Sequence, residues 1–211
     1  MIDSLMNRPF VRSVLIGLFA ATASSASSQV PSDTSASPTP APVVVALGDS
    51  VTAGYGLNPR DKFPAVLQRR LAEEGYPHQV INAGKNGDTT SGALRRLDRA
   101  LMPDTRILIV ALGRNDRRFR TLPEVIESNL SQIIERAQAR GAQVLLCDMD
   151  AGLESMLTRL ADRYHVTLVP SVMADVAGDP NMTLPDGHPN VIGARAIADT
   201  IWPYLQAMLA K

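Results

Sequence analysis

Residues 43–50 have the sequence VVVALGDS, a continuous apolar run that ends in a Gly-Asp-Ser turn. An apolar run with no alternating polar residues is typical of a strand that is covered on both faces, as in a parallel sheet. We predict the first strand at residues 43–47. Similar short apolar runs predict four further strands, at residues 79–82, 106–112, 143–147 and 167–169.

Amphipathic segments separate several of these strands. Apolar residues recur at helical spacing in residues 61–74, 122–140, 151–164 and 191–209, and a glycine follows the first two segments. The alternation of strands and helices predicts a single α/β domain over residues 43–211. We expect a three-layer α/β/α fold with a parallel, flavodoxin-like sheet of about five strands.

The composition is that of an ordinary globular protein. The chain has 211 residues, with 21 Lys+Arg and 21 Asp+Glu, so its formal net charge is zero and no nucleic-acid partner is expected. No spacing typical of metal ligands or of a phosphate-binding loop is present, so we expect neither a metal nor a cofactor. The single cysteine, Cys147, lies in an apolar run, which predicts a buried and unreactive thiol.

The N-terminal residues have the pattern of an export signal. Arg8 and Arg12 precede an apolar stretch at residues 14–23, and small residues follow. We interpret residues 1–26 as a signal peptide, since the apolar stretch is shorter than the roughly 20 residues that span a bilayer. Residues 27–42 are rich in Ser, Thr and Pro and are predicted to be a linker. This pattern favours a periplasmic or secreted protein with no stable membrane insertion after cleavage. A disordered or membrane-tethering N-terminus is the alternative.

Polar residues follow the first three predicted strands. In open α/β sheets, ligands bind beyond the carboxyl ends of the strands, so these segments should converge there. Ser50 follows the first strand at a tight turn, where its hydroxyl could face a ligand with free backbone N–H groups around it. The alternative is that Gly-Asp-Ser only forms a turn and caps a helix, and the tripeptide alone favours this alternative.

A serine nucleophile needs a base, and the chain has three histidines. His78 and His165 each precede a predicted strand and should lie at the opposite edge of the sheet. His188 lies just before the last predicted helix, with Asp186 two residues earlier. This pair fits a general base and the acid that orients it. The alternative is a simple turn before a helix that is capped by Asn190.

Four sequence blocks carry a family resemblance. They are GDSVTAGYGL at residues 48–57, INAGKNGDTT at 81–90, LGRND at 112–116 and DGHPN at 186–190. The chain resembles the SGNH (GDSL-type) hydrolases, and among them the bacterial thioesterase I, arylesterase and lysophospholipase L1 group. In that family, four blocks in this order hold a Ser, a Gly, an Asn and a His.

The resemblance implies a catalytic role for three residues. Ser50 would attack an acyl carbonyl, His188 would act as general base and then general acid, and Asp186 would orient the imidazole ring.

The resemblance also implies an oxyanion hole. Its donors would be the backbone N–H groups of Ser50 and Gly87 and the side-chain amide of Asn115. Asp49 and Asp116 would hold the surrounding loops through hydrogen bonds to the backbone.

The chain departs from its relatives at two places. The relatives usually carry an Asp three residues before the His, where this chain has Pro185, so Asp186 would have to act at a shorter spacing. The segment that follows Cys147 is also shorter than in thioesterase I-like relatives. We therefore expect the acyl site to be more open on that side.

These observations predict an enzyme that hydrolyses small-molecule carboxylic esters or thioesters through an acyl-enzyme on Ser50. The alternative within the same chemistry is a carbohydrate O-acetyl esterase. The alternative of another class is a catalytically weak module that binds an acylated ligand.

Overall fold

The structure is a computed structural model that describes residues 40–209. The predicted signal peptide, residues 1–26, and residues 27–39 of the predicted linker lie outside the described residues.

A five-stranded, all-parallel sheet forms the centre of the domain. Its strands in chain order are β1 (Val43–Gly48), β2 (Gln79–Gly84), β3 (Thr105–Ala111), β4 (Gln143–Cys147) and β5 (Thr167–Val169). Their spatial order is β2-β1-β3-β4-β5, which confirms the predicted flavodoxin-like sheet. The predicted bounds are right for β4 and β5, whereas β2 extends two residues further and β3 begins one residue earlier.

Seven α-helices connect the strands within residues 40–209. They are α1 (Ser50–Ala53), α2 (Phe63–Glu73), α3 (Thr90–Ala100), α4 (Arg114–Arg118), α5 (Pro123–Gln138), α6 (Glu154–Tyr164) and α7 (Val191–Leu209). A 3-10 turn at Ala151–Leu153 replaces the predicted first turn of α6, and α2 begins two residues later than predicted, after a 3-10 turn at Pro59–Asp61. None of these helices is both long and apolar enough to cross a bilayer.

From the sequence, we predict no helix between β2 and β3, and this is wrong, because helix α3 lies there. The Thr89 hydroxyl caps it by accepting the N–H of Gly92 at 3.2 Å. Its buried side is narrow, with Ala93 and Leu97 one turn apart and Leu101 just beyond the helix. Charged residues flank Leu97 in sequence, so the segment is polar on average although its buried positions recur at helical spacing.

The core consists of two layers of side chains, one on each face of the sheet. Along β1, Val44 and Ala46 belong to the cluster formed with α2 and α7, whereas Val45 and Leu47 belong to the cluster formed with α3, α5 and α6. All four side chains are 0% exposed. Successive side chains of β1 thus point to opposite faces of the sheet and contribute to both core layers of the three-layer fold, as predicted.

A buried polar network fixes the start of α3. The Asp116 carboxylate, 0% exposed, accepts the backbone N–H of Thr90 at 2.9 Å and its hydroxyl at 2.6 Å. The same hydroxyl accepts the side-chain amide of Asn129 at 3.0 Å. This network joins α3, α4 and α5, and it agrees with the predicted structural role of Asp116.

The network predicts the effect of changing Thr90. Thr90→Val keeps the shape of the side chain but removes the hydrogen bond to a charged carboxylate and leaves a buried Asn129 N–H with one acceptor fewer. We expect the free energy of unfolding to fall by about 1.5–3 kcal/mol in urea denaturation. The matched control is Thr158→Val on the exposed face of α6, where the hydroxyl binds only the Glu154 carbonyl of its own helix. Equal losses in both variants would contradict the role of the network.

Candidate active site

Three of the four sequence blocks meet at the carboxyl edge of the sheet. Ser50 follows β1, Gly87 follows β2 and Asn115 follows β3, and these three strands are neighbours in the order β2-β1-β3. Because the strands are parallel, their carboxyl ends lie at the same edge. The topology therefore places the predicted site residues in adjacent loops although they are far apart in sequence.

The turn after β1 presents Ser50 at the first position of α1. Asp49 caps this helix, since its Oδ1 accepts the backbone N–H of Val51 at 2.9 Å. Gly48 is required for close packing, because a Cβ there would lie 2.0 Å from Thr52 Oγ1 and 2.8 Å from the Ala111 carbonyl oxygen. The Ser50 side chain is half-buried.

The fourth block is a short closed loop before α7. The backbone N–H of Leu184 donates to the His188 carbonyl at 2.7 Å, and Gly187 turns the chain with a φ of 85° that favours glycine. Asn190 then caps α7 by accepting the N–H of Ile192 at 2.8 Å. This loop carries the His188 ring to the turn after β1.

His188 contacts both of its predicted partners. Its Nε2 lies 3.0 Å from Ser50 Oγ, which is the distance of a hydrogen bond between a serine and its general base. Its Nδ1 lies 3.1 Å from Asp186 Oδ1, but the ring N–H direction does not meet the geometry of a hydrogen bond. The same Asp186 oxygen accepts the backbone N–H of His188 at 3.1 Å.

The short spacing explains this arrangement. With a single residue between them, the Asp186 carboxylate turns back onto the His188 backbone N–H, as in an Asx turn. This hydrogen bond is the main cause that holds the pKa of Asp186 below its ordinary value, with the His188 ring as a smaller cause. The exposed carboxylate therefore acts on the ring mainly by its charge at close range.

Tyr55 contacts the His188 ring, and sequence reasoning assigned it no role. The two ring centroids are 4.5 Å apart and the planes are tilted by 32°. Tyr55 lies in the block at residues 48–57, so its position was visible in the sequence, but only the fold brings it next to His188. We infer that it limits the rotation of the imidazole ring.

The loop after β2 supplies the second predicted oxyanion donor. Among the described residues, neither the Gly87 nor the Ser50 backbone N–H has a hydrogen-bond acceptor. Arg96 fixes this loop, because its Nε binds Asp88 Oδ2 at 2.7 Å and its Nη2 binds the Gly48 carbonyl at 3.1 Å. Sequence reasoning missed Arg96 together with helix α3, on which it lies.

Asn115 joins the loops that follow β1 and β2. Its side-chain Nδ2 donates to Asp49 Oδ2 at 3.2 Å and to the Asp88 carbonyl at 2.9 Å. Both amide hydrogens are thus engaged, so donation to an oxyanion requires that one contact be exchanged. The longer contact, to Asp49, is the weaker of the two by distance.

The carboxyl group of Asp49 is 3% exposed. Burial raises the pKa of Asp49 above its ordinary value, and the Val51 N–H and the positive charge of Arg114 act in the opposite direction. A raised pKa means that ionising Asp49 lowers the free energy of unfolding. The stability of the form with Asp49 protonated is fully present below the ordinary pKa of an Asp, and it is lost as the pH rises through the folded-state pKa.

This pKa shift gives a testable dependence of stability on pH. Asp49→Asn removes the ionisation, so the wild type should lose stability relative to the variant as the pH rises from about 4 towards neutrality. Urea unfolding of both proteins across this range measures the difference. The control is Asp162→Asn, an exposed change on α6 that should run parallel to the wild type. Parallel curves for Asp49→Asn would contradict the prediction.

Two cavities lie next to Ser50 and His188. A cleft of about 410 Å³ is lined by Ser50, Asn115, His188 and several charged side chains. A larger groove of about 1060 Å³ extends from Tyr55 along α1, α2 and β2. Since Tyr55 also contacts His188, the groove begins beside the imidazole ring.

The other two histidines and the cysteine lie away from this site. His78 precedes β2 and His165 precedes β5, so both are at the amino edge of the sheet, as expected. Cys147 is 0% exposed, and burial raises the pKa of its thiol, in agreement with the predicted unreactive cysteine. Within residues 40–209, no group of three or more His, Cys, Asp or Glu side chains could hold a metal ion.

Comparison with known proteins places this geometry in a family. The profile of the GDSL-like Lipase/Acylhydrolase family matches residues 46–196. Esterase TesA of Pseudomonas aeruginosa is 32% identical over 181 residues, covering 80% of this chain and 90% of that protein. The thioesterase 1/protease 1/lysophospholipase L1 of Escherichia coli K12 is 30% identical, covering 80% and 86%. A crystal structure of TesA superposes with a TM-score of 0.75 at 30% identity, covering 79% of this chain and 99% of that one.

Proposed function

Because the chain belongs to the GDSL-like lipase/acylhydrolase family and is an acyl hydrolase of the esterase and thioesterase type, we propose that it cleaves small-molecule esters through an acyl-enzyme on Ser50. The observation that carries this proposal is the 3.0 Å contact between Ser50 Oγ and His188 Nε2 at the carboxyl edge of the sheet.

In the first step, His188 Nε2 accepts the hydroxyl proton while Ser50 Oγ attacks the acyl carbon. The carbonyl π electrons move to its oxygen, and the tetrahedral intermediate collapses when His188 returns the proton to the leaving alcohol or thiol. Water then repeats the sequence on the acyl-enzyme and releases the acid and free Ser50. Asp186 and Tyr55 hold the ring, one by charge and the other by contact with its face.

The oxyanion is stabilised by three donors. The Ser50 and Gly87 backbone N–H groups have no acceptor among residues 40–209, so they meet the developing charge without first breaking a hydrogen bond to the protein. Asn115 adds its amide by exchanging the longer contact to Asp49. Such preorganised donors favour the transition state over the neutral ester.

The export pattern of residues 1–26 supports action in the periplasm or outside the cell. A chain with one buried cysteine requires no disulfide in that compartment.

The nucleophile is tested by covalent labelling. A fluorophosphonate probe should react with the wild type, and Ser50→Ala should lose both the label and the hydrolysis of para-nitrophenyl acetate, since no other group supplies the attacking oxygen. Ser155→Ala, an exposed serine on α6, is the matched control and should keep both. Ester hydrolysis at the wild-type rate by Ser50→Ala would disprove the proposal. Failure of the wild type to react would favour the weak acyl-binding module instead.

The acid at the shortened spacing is tested by comparing two variants. A buried, well-aligned triad Asp contributes about 10⁴ in kcat. Asp186 is exposed and its contact with the ring is poorly aligned, so Asp186→Asn should cost only about 10²-fold in kcat, the lower end of the range of acid–base effects. His188→Ala should abolish turnover, and Asp175→Asn, an exposed change in the loop after β5, is the control. A loss for Asp186→Asn as large as that for His188→Ala would show that Asp186 aligns the ring in the substrate complex.

A further inference from the structure

One wall of the catalytic cleft is rich in arginine. Helix α4 carries Asn115 and, on either side of it in sequence, Arg114, Arg117 and Arg118, and all four line the cleft that contains Ser50. Six of the eleven residues that line this cleft are Asp or Arg. The helix that supplies an oxyanion donor therefore also brings three guanidinium groups to the cleft.

Arg117 has a structural partner. Its Nη1 binds Asp150 Oδ1 at 2.5 Å, and its guanidinium packs over Gly152, where a Cβ would lie 1.4 Å from Nη1. This ion pair joins α4 to the 3-10 turn after β4. The charge of Arg117 is thus neutralised by a neighbour.

Arg114 and Arg118 differ from Arg117. Both are exposed, and within residues 40–209 neither has a carboxylate oxygen within 4.0 Å. The other carboxylates of the cleft are already engaged: Asp49 by Val51 and Asn115, and Asp186 by His188. Two permanent positive charges with free hydrogen-bond donors therefore face the cleft.

We propose that Arg114 and Arg118 form a subsite for an anionic group, a carboxylate or a phosphate, that the ester substrate carries on its acyl or its alcohol part. This inference rests on the proposed Ser50-dependent hydrolysis and specifies its substrate class. A guanidinium binds carboxylate and phosphate oxygens through two parallel, charge-assisted hydrogen bonds, which a neutral ester cannot replace.

The surroundings of Arg114 define the spacer between the anion and the ester. Arg114 also lines a second cavity, of about 270 Å³, whose lining includes Met149, Met173 and Ala177. Asp148 and Asp150 also line this cavity, but Asp148 accepts backbone N–H groups and Asp150 is paired with Arg117. The rest of the lining is mostly apolar, so a short hydrocarbon segment next to the charged group finds an apolar surface there. We therefore expect substrates in which a few methylene groups or an aromatic ring separate the anionic group from the ester group.

A competing explanation of Arg114 concerns Asp49. The positive charge of Arg114 opposes the rise in the pKa of Asp49, so loss of Arg114 alone could disturb Asn115 through its contact with that carboxylate. Arg118 has no such effect on Asp49. The two arginines are therefore changed separately and together.

The experiment compares matched anionic and neutral esters. Mono-para-nitrophenyl adipate and its methyl ester place the charge on the acyl part, and para-acetoxybenzoate and its methyl ester place it on the alcohol part. The compound para-acetoxyphenyl phosphate replaces the carboxylate by a phosphate. Each is assayed with the wild type, Arg114→Gln, Arg118→Gln, the double variant and the control Arg99→Gln, an exposed arginine on α3 that has no ion pair within residues 40–209.

We expect the wild type to prefer the anionic member of at least one pair. The double variant should lower the ratio of kcat/KM for the anionic over the neutral ester by about tenfold or more, mainly through KM, since the subsite binds ground state and transition state alike. Arg118→Gln alone should lower this ratio, and Arg99→Gln should not. Added salt should weaken the preference of the wild type, because the charges are exposed.

Three results would overturn the subsite. If the ratio is the same in the wild type and the double variant while Ser50-dependent hydrolysis persists, the subsite is wrong and the proposed function stands. Equal losses on anionic and neutral esters would mean that the arginines act on Asp49 and Asn115 instead. Absence of any Ser50-dependent hydrolysis would overturn the subsite and the proposed function together.

Discussion

The active site depends on the two hydrogen bonds that the side-chain amide of Asn115 donates. One hydrogen reaches the Asp49 carboxylate beside Ser50, and the other reaches the Asp88 carbonyl beside Gly87. A single side chain on α4 thus sets the distance between the loops after three neighbouring strands. Burial raises the pKa of Asp49, so the ionised form of this carboxyl group lowers the stability of the fold. In return, the same group helps to hold in place the hydrogen-bond donors around Ser50.

The sheet explains why so few residues suffice to form this site. Parallel strands in the order β2-β1-β3 bring three loops to one edge, and the two core layers fix the strands from both faces. Behind the loops, Asp116 connects α4 to the start of α3, and Arg96 connects α3 to the end of β1 and to the loop after β2. The last loop is stiffened by its own hydrogen bonds and by the Asn190 cap of α7, which fixes the backbone that carries His188.

Much of this could be predicted from the sequence, and the exceptions have physical reasons. The strands were visible because each is a short run of residues buried on both faces, and the site residues because they follow those runs in recognisable blocks. Helix α3 was missed because it has only two fully buried apolar residues, Ala93 and Leu97, and charged residues lie on either side of Leu97 in sequence. The contact of Tyr55 with His188 and the ion pair between Arg117 and Asp150 join segments far apart in the chain, so spacing could not reveal them. The sequence showed that Asp186 stands at an unusual spacing, but only the geometry shows that its oxygen binds the His188 backbone.

The strand order also determines when, during synthesis, the site becomes complete. Strand β1 leaves the ribosome before either of its partners, and it can pair on both sides only after β2 and β3 have emerged. The turn that holds Ser50 therefore lacks one of its neighbouring strands until β3, which ends at Ala111, has emerged, and His188 follows only after all five strands. Such long-range pairing is slow to form. A partly synthesised chain therefore exposes Ser50 without the histidine that we propose as its base, and we expect no acyl transfer until the domain is complete.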